Sequence, residues 1–174
     1  IFLLFAPLAA RLGMSNFKTE LENGAFLIAE PKKYLEIQLD VDKRFHKRQP
    51  IVERLMALTQ KCMDELGIKG KVMGSKKHIY SIYKKLQDHP MDQIYDLIAV
   101  RAIVNTVAEC YALLGRLHSE VEPIPKRFKD YIAIPKPNGY QSLHTTVMFE
   151  GFPVEIQIRT EEMHRYAEYG VAAH

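Results

Sequence analysis

Residues 154–159, Val-Glu-Ile-Gln-Ile-Arg, alternate apolar and polar without a fault, and this constrains the fold more than any other feature of the chain. Successive residues of a strand point to opposite faces, so Val154, Ile156 and Ile158 share one face and Glu155, Gln157 and Arg159 the other. A strand rise of about 3.3 Å per residue sets the polar three roughly 6.5 Å apart. An acid, an amide and a base in a row suit a chemical site; a solvated outer face would accept them too. Upstream, residues 143–149 read as a second strand, preceded by a loop carrying Pro135, Pro137 and Gly139.

The rest of the chain supplies what such strands need to pack against. With 174 residues, 47% hydrophobic and 26% charged, it can bury the core of one or two small domains. A net charge of +3 excludes a bulk nucleic-acid footprint, and DNA is not an expected partner. Cys62 and Cys110 have no metal-type spacing and read as reduced packing residues of a cytoplasmic protein. The opening IFLLFAPLAARLGM lacks a basic start and the length of a membrane span, so it reads as a helix from within a longer protein and no membrane is implied.

Two parts are expected, a helical segment over 1–47 and a mixed α and β unit over 48–174. Leu3, Leu4, Leu8 and Leu12, then Leu21, Phe26 and Leu27, recur at helical spacing in the first. The second opens with an amphipathic helix from about Gln49 to Leu66, closed by Gly67 and Gly70. The expected order is then strand 71–73, helix 77–88, strand 95–104, helix 107–121, loop 122–142, the two strands above and helix 160–173. This alternation predicts an α+β, α/β-like fold, a mixed sheet of about five strands flanked by helices.

Four constellations bear on chemistry. Lys77, Ser81 and Lys85 recur at i, i+4 and i+8 in SKKHIYSIYKKL, a polar helix stripe that suits phosphates or plain solvent. Asp96 opens the apolar strand YDLIAVR, where a carboxylate is costly to bury unless paired or metal-bound, and Mg²⁺ prefers such hard oxygen ligands. Asp96 and Arg101 differ by five, so a regular strand puts them on opposite faces. Lys126, Arg127, Lys129 and Lys136 concentrate positive charge on one loop, and Arg and Lys are the phosphate-binding side chains. Asn138-Gly139 marks a tight turn that leaves Tyr140 free to stack on a flat ring and His144 to donate to a phosphate or sugar. Packing is the alternative for Tyr140. No G-x-x-x-x-G-K-[ST] loop and no G-x-G-x-x-G run is present, which excludes P-loop and Rossmann nucleotide binding.

The segments HIYSIYKKL, YDLIAVR, RFKDYIAIPKPNGYQSLHTTV and EIQIRTEEMHRYAEYGVAAH resemble the synthetase domain of the RelA/SpoT family, the long (p)ppGpp synthetases, over about residues 72–174. APLAARLGMSNFKTELENGAF is similar to the end of the hydrolase domain that precedes it. The chain has no His-Asp dipeptide, so this piece is expected to lack hydrolase activity. The resemblance implies a nucleotidyltransferase-like fold and transfer of the β,γ-pyrophosphate of ATP to the 3′-hydroxyl of GDP or GTP, with Mg²⁺ as cofactor. It implies Asp96 and Glu155 as catalytic and metal-binding residues, Glu155 accepting the hydroxyl proton. It implies Lys77, Ser81, Lys85 and Arg101 for ATP, Arg101 stacking on adenine. Arg127, Lys129, Lys136, Asn138, Tyr140, His144 and Gln157 would then serve GDP or GTP, Tyr140 stacking on guanine and Arg127 lying near the transferred group. Any ribosome association would run through parts of the parent protein absent here.

One position departs from the family pattern. Ser75 stands where the family usually has an arginine that resembles half of a cationic sandwich around adenine, and Lys76 is a poor stacking substitute. A nucleotide-binding regulatory domain that has lost turnover is therefore an alternative, and an RNA-binding module another. RFKD, residues 127–130, resembles the basic form typical of bifunctional synthetase–hydrolases.

Overall fold

The computed structural model of the chain describes residues 1–91, 94 and 97–173. Three helices come first: α1 (Phe5–Arg11), α2 (Ser15–Ala29) and the long α3 (Pro31–Glu65). They are followed by β1 (Lys71–Lys76), α4 (Ile79–Lys85), β2 (Ile98–Val104), α5 (Val107–Glu120), β3 (Glu122–Pro123), β4 (Lys129–Asp130), β5 (Leu143–Phe149), β6 (Phe152–Thr160) and α6 (Glu161–Tyr169). A 3₁₀ turn over Gly170–Ala173 follows α6.

The six strands form one mixed sheet in the order β1-β2-β6-β5-β3, with β4 also paired to β5. β2 and β6 run parallel and the other pairs antiparallel. The expected mixed sheet flanked by helices is what forms; β3 and β4 are short additions inside the stretch read as loop. The apolar sides of β2 and β6 bury Val100, Ala102, Ile156 and Ile158 completely. Leu55, Cys62 and Met63 of α3 and Leu113 and Leu117 of α5 join them in the same core. Both cysteines are free, and burial pushes the Cys110 thiol up to about 12 and raises that of Cys62. A packing role fits both.

Local chemistry sets the element ends. Thr106 caps α5, its Oγ1 accepting from the Glu109 N–H at 3.2 Å while Glu109 Oε2 accepts from the Thr106 N–H at 2.8 Å. Gly67 follows α3 at φ +67°, a conformation that costs a residue with a Cβ.

Helix bounds and burial differ in places from the sequence reading. α3 starts at Pro31 rather than Gln49 and continues through Pro50. Pro50 lacks an N–H and its ring crowds the carbonyl four residues back, but Phe45, Val52 and Leu55 pack on either side of it and keep the helix going. Leu3, Leu4 and Leu8 expose 95%, 64% and 51% of their surface, so their spacing does not mark this chain's core; Ala6 and Ala9 are buried instead. Lys77 is not helical, because its N–H continues the β1–β2 ladder to the Leu97 carbonyl at 3.0 Å. α4 begins two residues later, so the stripe Lys77–Ser81–Lys85 does not run along one helix.

α4 has only seven residues and is held from outside. Asn23 of α2 accepts from the Tyr80 N–H at 3.0 Å, Glu22 accepts from Lys84 at 3.1 Å, and Phe26 stacks on Tyr83 with ring centres 4.5 Å apart. The first helices are thus packed directly onto α4.

Candidate active site

The sheet face away from the α3–α5 core carries the polar row read from the sequence. Register aligns Lys129, His144, Gln157 and Arg101 across β4, β5, β6 and β2. Glu155 lies one step along, between Thr146 and Ala99. The outer-face alternative therefore fails for β6: its polar side is a half-buried site rather than a solvated surface, and Arg159 is 2% exposed.

Hydrogen bonds tie these groups together. Arg159 Nη2 donates to Gln157 Oε1 at 3.1 Å, and Gln157 Nε2 donates to Glu155 Oε1 at 2.7 Å. His144 Nδ1 lies 3.6 Å from the same Glu155 oxygen, and its Nε2 is 2.7 Å from the Tyr140 hydroxyl. Burial, then the charges of Lys136, Arg159, Lys129 and Lys77, pull the His144 pKa down to about 3. The carboxylate at 3.6 Å does not offset these, so the imidazole is neutral. A phenol donating to Nε2 would leave the imidazole proton on Nδ1, on the side of Glu155.

Glu155, His144 and Thr146 line one side of a cavity of about 730 Å³, faced by Lys84 and Lys85 of α4 and by Lys126, Arg127 and Lys129. Among the described residues two carboxylates, Glu155 and Asp88, share the cavity with five cations. Lys126 adopts φ +63°, unusual for a residue other than glycine, in the turn that brings this loop to the cavity.

The expected residues divide as follows. Glu155, His144, Lys129, Arg127 and Lys85 line the cavity, and Gln157 is bonded to Glu155. Lys77 lies at the end of β1, close enough for its charge to depress both His144 and Lys136. Ser81, half-buried in α4, does not line the cavity. Arg101 is held by Glu168 at 3.2 Å and reaches Ser75 at 3.4 Å. Asn138 turns its amide nitrogen toward the Ala10 carbonyl at 3.4 Å and its oxygen to the Tyr140 N–H at 3.3 Å. Asp96 lies outside the described residues.

The Asn-Gly turn forms, with the Gly139 N–H donating to the Lys136 carbonyl at 2.8 Å. Gly139 has φ +79°, and a Cβ there would meet the Tyr166 hydroxyl at 2.6 Å, so the turn requires glycine twice over. The Tyr140 ring is covered rather than free: Lys136 Nζ lies 4.9 Å and Arg159 Cζ 5.7 Å from its centre. Burial lowers the Lys136 pKa and raises that of Tyr140. The Lys136 ammonium lies over two rings, the other being Tyr131 at 4.6 Å.

Sequence reading missed Thr146, Lys84 and the role of Arg159. Strand alternation already placed Arg159 beside Glu155 and Gln157. Thr146 and Lys84 carry no signal of their own, since only strand register and the docking of α4 bring them to the cavity. Among the described residues no helix is long and apolar enough to cross a membrane, and no cluster of three or more His, Cys, Asp or Glu could hold a metal alone.

Comparison with known proteins bears on the family of the chain. Residues 74–174 match the region found in RelA / SpoT proteins. The chain is 51% identical to a GTP pyrophosphokinase of Streptomyces coelicolor, over 98% of this chain and 20% of that protein. It is 45% identical to the bifunctional (p)ppGpp synthase/hydrolase SpoT of Escherichia coli, over 98% of this chain and 25% of that one. The chain thus spans a fifth to a quarter of these relatives. Among solved structures it resembles the small alarmone synthetase 2 of Bacillus subtilis, with a TM-score of 0.63 and 26% identity over 74% of this chain and 76% of that one. A family match across more than half of the chain, on the residues that build the cavity, means that this chain belongs to the RelA/SpoT family.

Proposed function

We propose that the chain is the pyrophosphokinase unit of a larger protein, transferring the β,γ-pyrophosphate of ATP to the 3′-hydroxyl of GDP or GTP. The observation that carries this reading is Glu155: a carboxylate aligned by Gln157, facing a cavity that five cations line together with Asp88. Phosphates would neutralise the cations, and the carboxylate would take the proton of the attacking hydroxyl as its oxygen bonds to the β-phosphorus. The bond between that phosphorus and the α–β bridging oxygen then breaks and AMP leaves. Catalysis would be mostly positioning and charge neutralisation.

The remaining roles follow from placement. Lys85 and Lys77, with Ser81, would hold the ATP phosphates, and Arg101 would stack on adenine. Tyr140 would stack on guanine once Lys136 moves aside, Lys136 joining Lys129, His144, Asn138 and Gln157 around the acceptor. Arg127 would sit near the transferred group. Mg²⁺ fits the donor set, since it is commonly bound by one or two carboxylates plus substrate phosphates rather than by a protein cage. Glu155 and Asp96 would hold it, and it would neutralise charge on the transferring phosphates. Residues 1–47 would be the tail of a preceding hydrolase domain, and residues 48–174 the synthetase domain.

A catalytically degenerate nucleotide-binding domain is the second reading, favoured by one observation: Arg101 faces Ser75 where a second cation would complete an adenine clamp. Labelled ATP incubated with GDP and Mg²⁺ separates the two. A 3′-pyrophosphorylated guanosine product supports synthesis. Binding of both nucleotides without product supports the degenerate domain.

A further inference from the structure

Arg159 is an unusual residue to bury. It is 2% exposed, and among the described residues its Nε has no partner and no carboxylate lies within ion-pair distance of it. It donates to the neutral Gln157 amide at 3.1 Å, and its guanidinium lies 5.7 Å from the Tyr140 ring centre. Burial pulls its pKa below the usual arginine value. A lone buried cation is poor packing material, since an apolar residue of similar volume is often as stable or more so.

What the burial achieves is orientation. A guanidinium has donors only, so Gln157 must turn its oxygen toward Arg159. Its NH₂ is then left to face Glu155 Oε1 at 2.7 Å. The opposite flip would set amide nitrogen against guanidinium and amide oxygen against carboxylate, both repulsive. We propose that Arg159 is a positioning residue that locks the Gln157 amide and, through it, holds the Glu155 carboxylate in place at the cavity. The contacts close a loop, because Arg159 also underlies Tyr140, Tyr140 bonds His144, and His144 faces Glu155 from the other side. The inference rests on the role given to Glu155 above.

The test is Arg159→Met beside Arg159→Lys. Methionine removes the buried charge at similar reach, so the melting temperature should hold or rise. At the same time kcat should fall about 10- to 100-fold, as when a supporting residue behind a catalytic group is lost. KM for ATP should stay within about threefold of the parent, because no ATP contact rests on Arg159, while KM for GDP can follow Gln157 and Tyr140. Lysine, which keeps a donor, should recover part of the kcat. In ¹⁵N spectra the Gln157 side-chain amide, assigned by its disappearance in Gln157→Leu, should shift in Arg159→Met. A lowered melting temperature with unchanged kcat, or an unmoved Gln157 amide, overturns the proposal. If the parent chain makes no product, the functional reading fails, while the amide signal and the melting temperature still decide whether Arg159 locks Gln157.

Discussion

Arg101 reaches across the β1–β2 pair to Ser75, its Nη2 lying 3.4 Å from the serine hydroxyl. Lys76, the next residue, turns to the other side of the strand. Its ammonium sits 3.7 Å over the Phe45 ring and 3.5 Å from Asp42, both on α3. Lys76 therefore cannot stand in for a cation opposite Arg101, because neighbouring strand residues face opposite ways.

Ser75→Arg should rebuild a two-sided cationic site. ATP binding should tighten by about 0.5–2 kcal/mol, the usual span for a cation over a π system. GDP binding should not change, and the gain should disappear in an Arg101→Ala background. Lys76→Ala should leave ATP affinity alone. Calorimetric titration of the variants decides it, and weaker ATP binding in Ser75→Arg would remove Arg101 from the adenine site.

Glu155→Gln keeps the side chain's shape and removes its charge. Nucleotide binding should persist while product formation stops, with Asp96→Asn behaving likewise if both hold Mg²⁺. Loss of GDP binding in Glu155→Gln would instead make Glu155 a substrate ligand, and the base would have to be sought elsewhere.

Tyr140 separates ring from hydroxyl. Tyr140→Ala should weaken guanine nucleotides by about 1–3 kcal/mol, the value of one base–aromatic stack, and leave ATP nearly unchanged. Tyr140→Phe should bind guanine nucleotides almost normally, yet lose about 1–3 kcal/mol of stability, because His144 Nε2 forfeits its 2.7 Å partner in a buried place. Equal losses for both nucleotides in the alanine variant would indicate misfolding rather than a lost stack.

Acid should destabilise the fold through His144. Its pKa is about 3 when folded against 6.5 ordinarily, so between these values the unfolded chain binds a proton that the folded chain does not. Stability then falls as pH drops from about 6.5 toward 3, by at most about 1.4 kcal/mol per pH unit. Burial lowers His118 and His164 as well, and they act in the same direction. Urea unfolding at several pH values should show a flatter acid slope for His144→Gln than for the parent; equal slopes would mean that His144 is protonated in the fold.

Much of this protein was legible in the chain itself. The alternation in β6 determined which residues face the core and which the site, because a strand's side chains alternate whatever surrounds them. The Asn138-Gly139 turn was local for the same reason: a positive φ is a property of the residue. What crosses the chain was not legible. Where β1 ends and α4 begins depends on the Lys77–Leu97 bond, which the Leu97 side of the β1–β2 pair decides. The course of α3 through Pro50 depends on the packing around it, and propensity cannot register that. Arg159 could be placed on the polar face from sequence, but its burial under Tyr140 required the turn to fold over the sheet. Pattern assigns each residue a face; only the packed structure decides which of those faces meet and so sets their electrostatics.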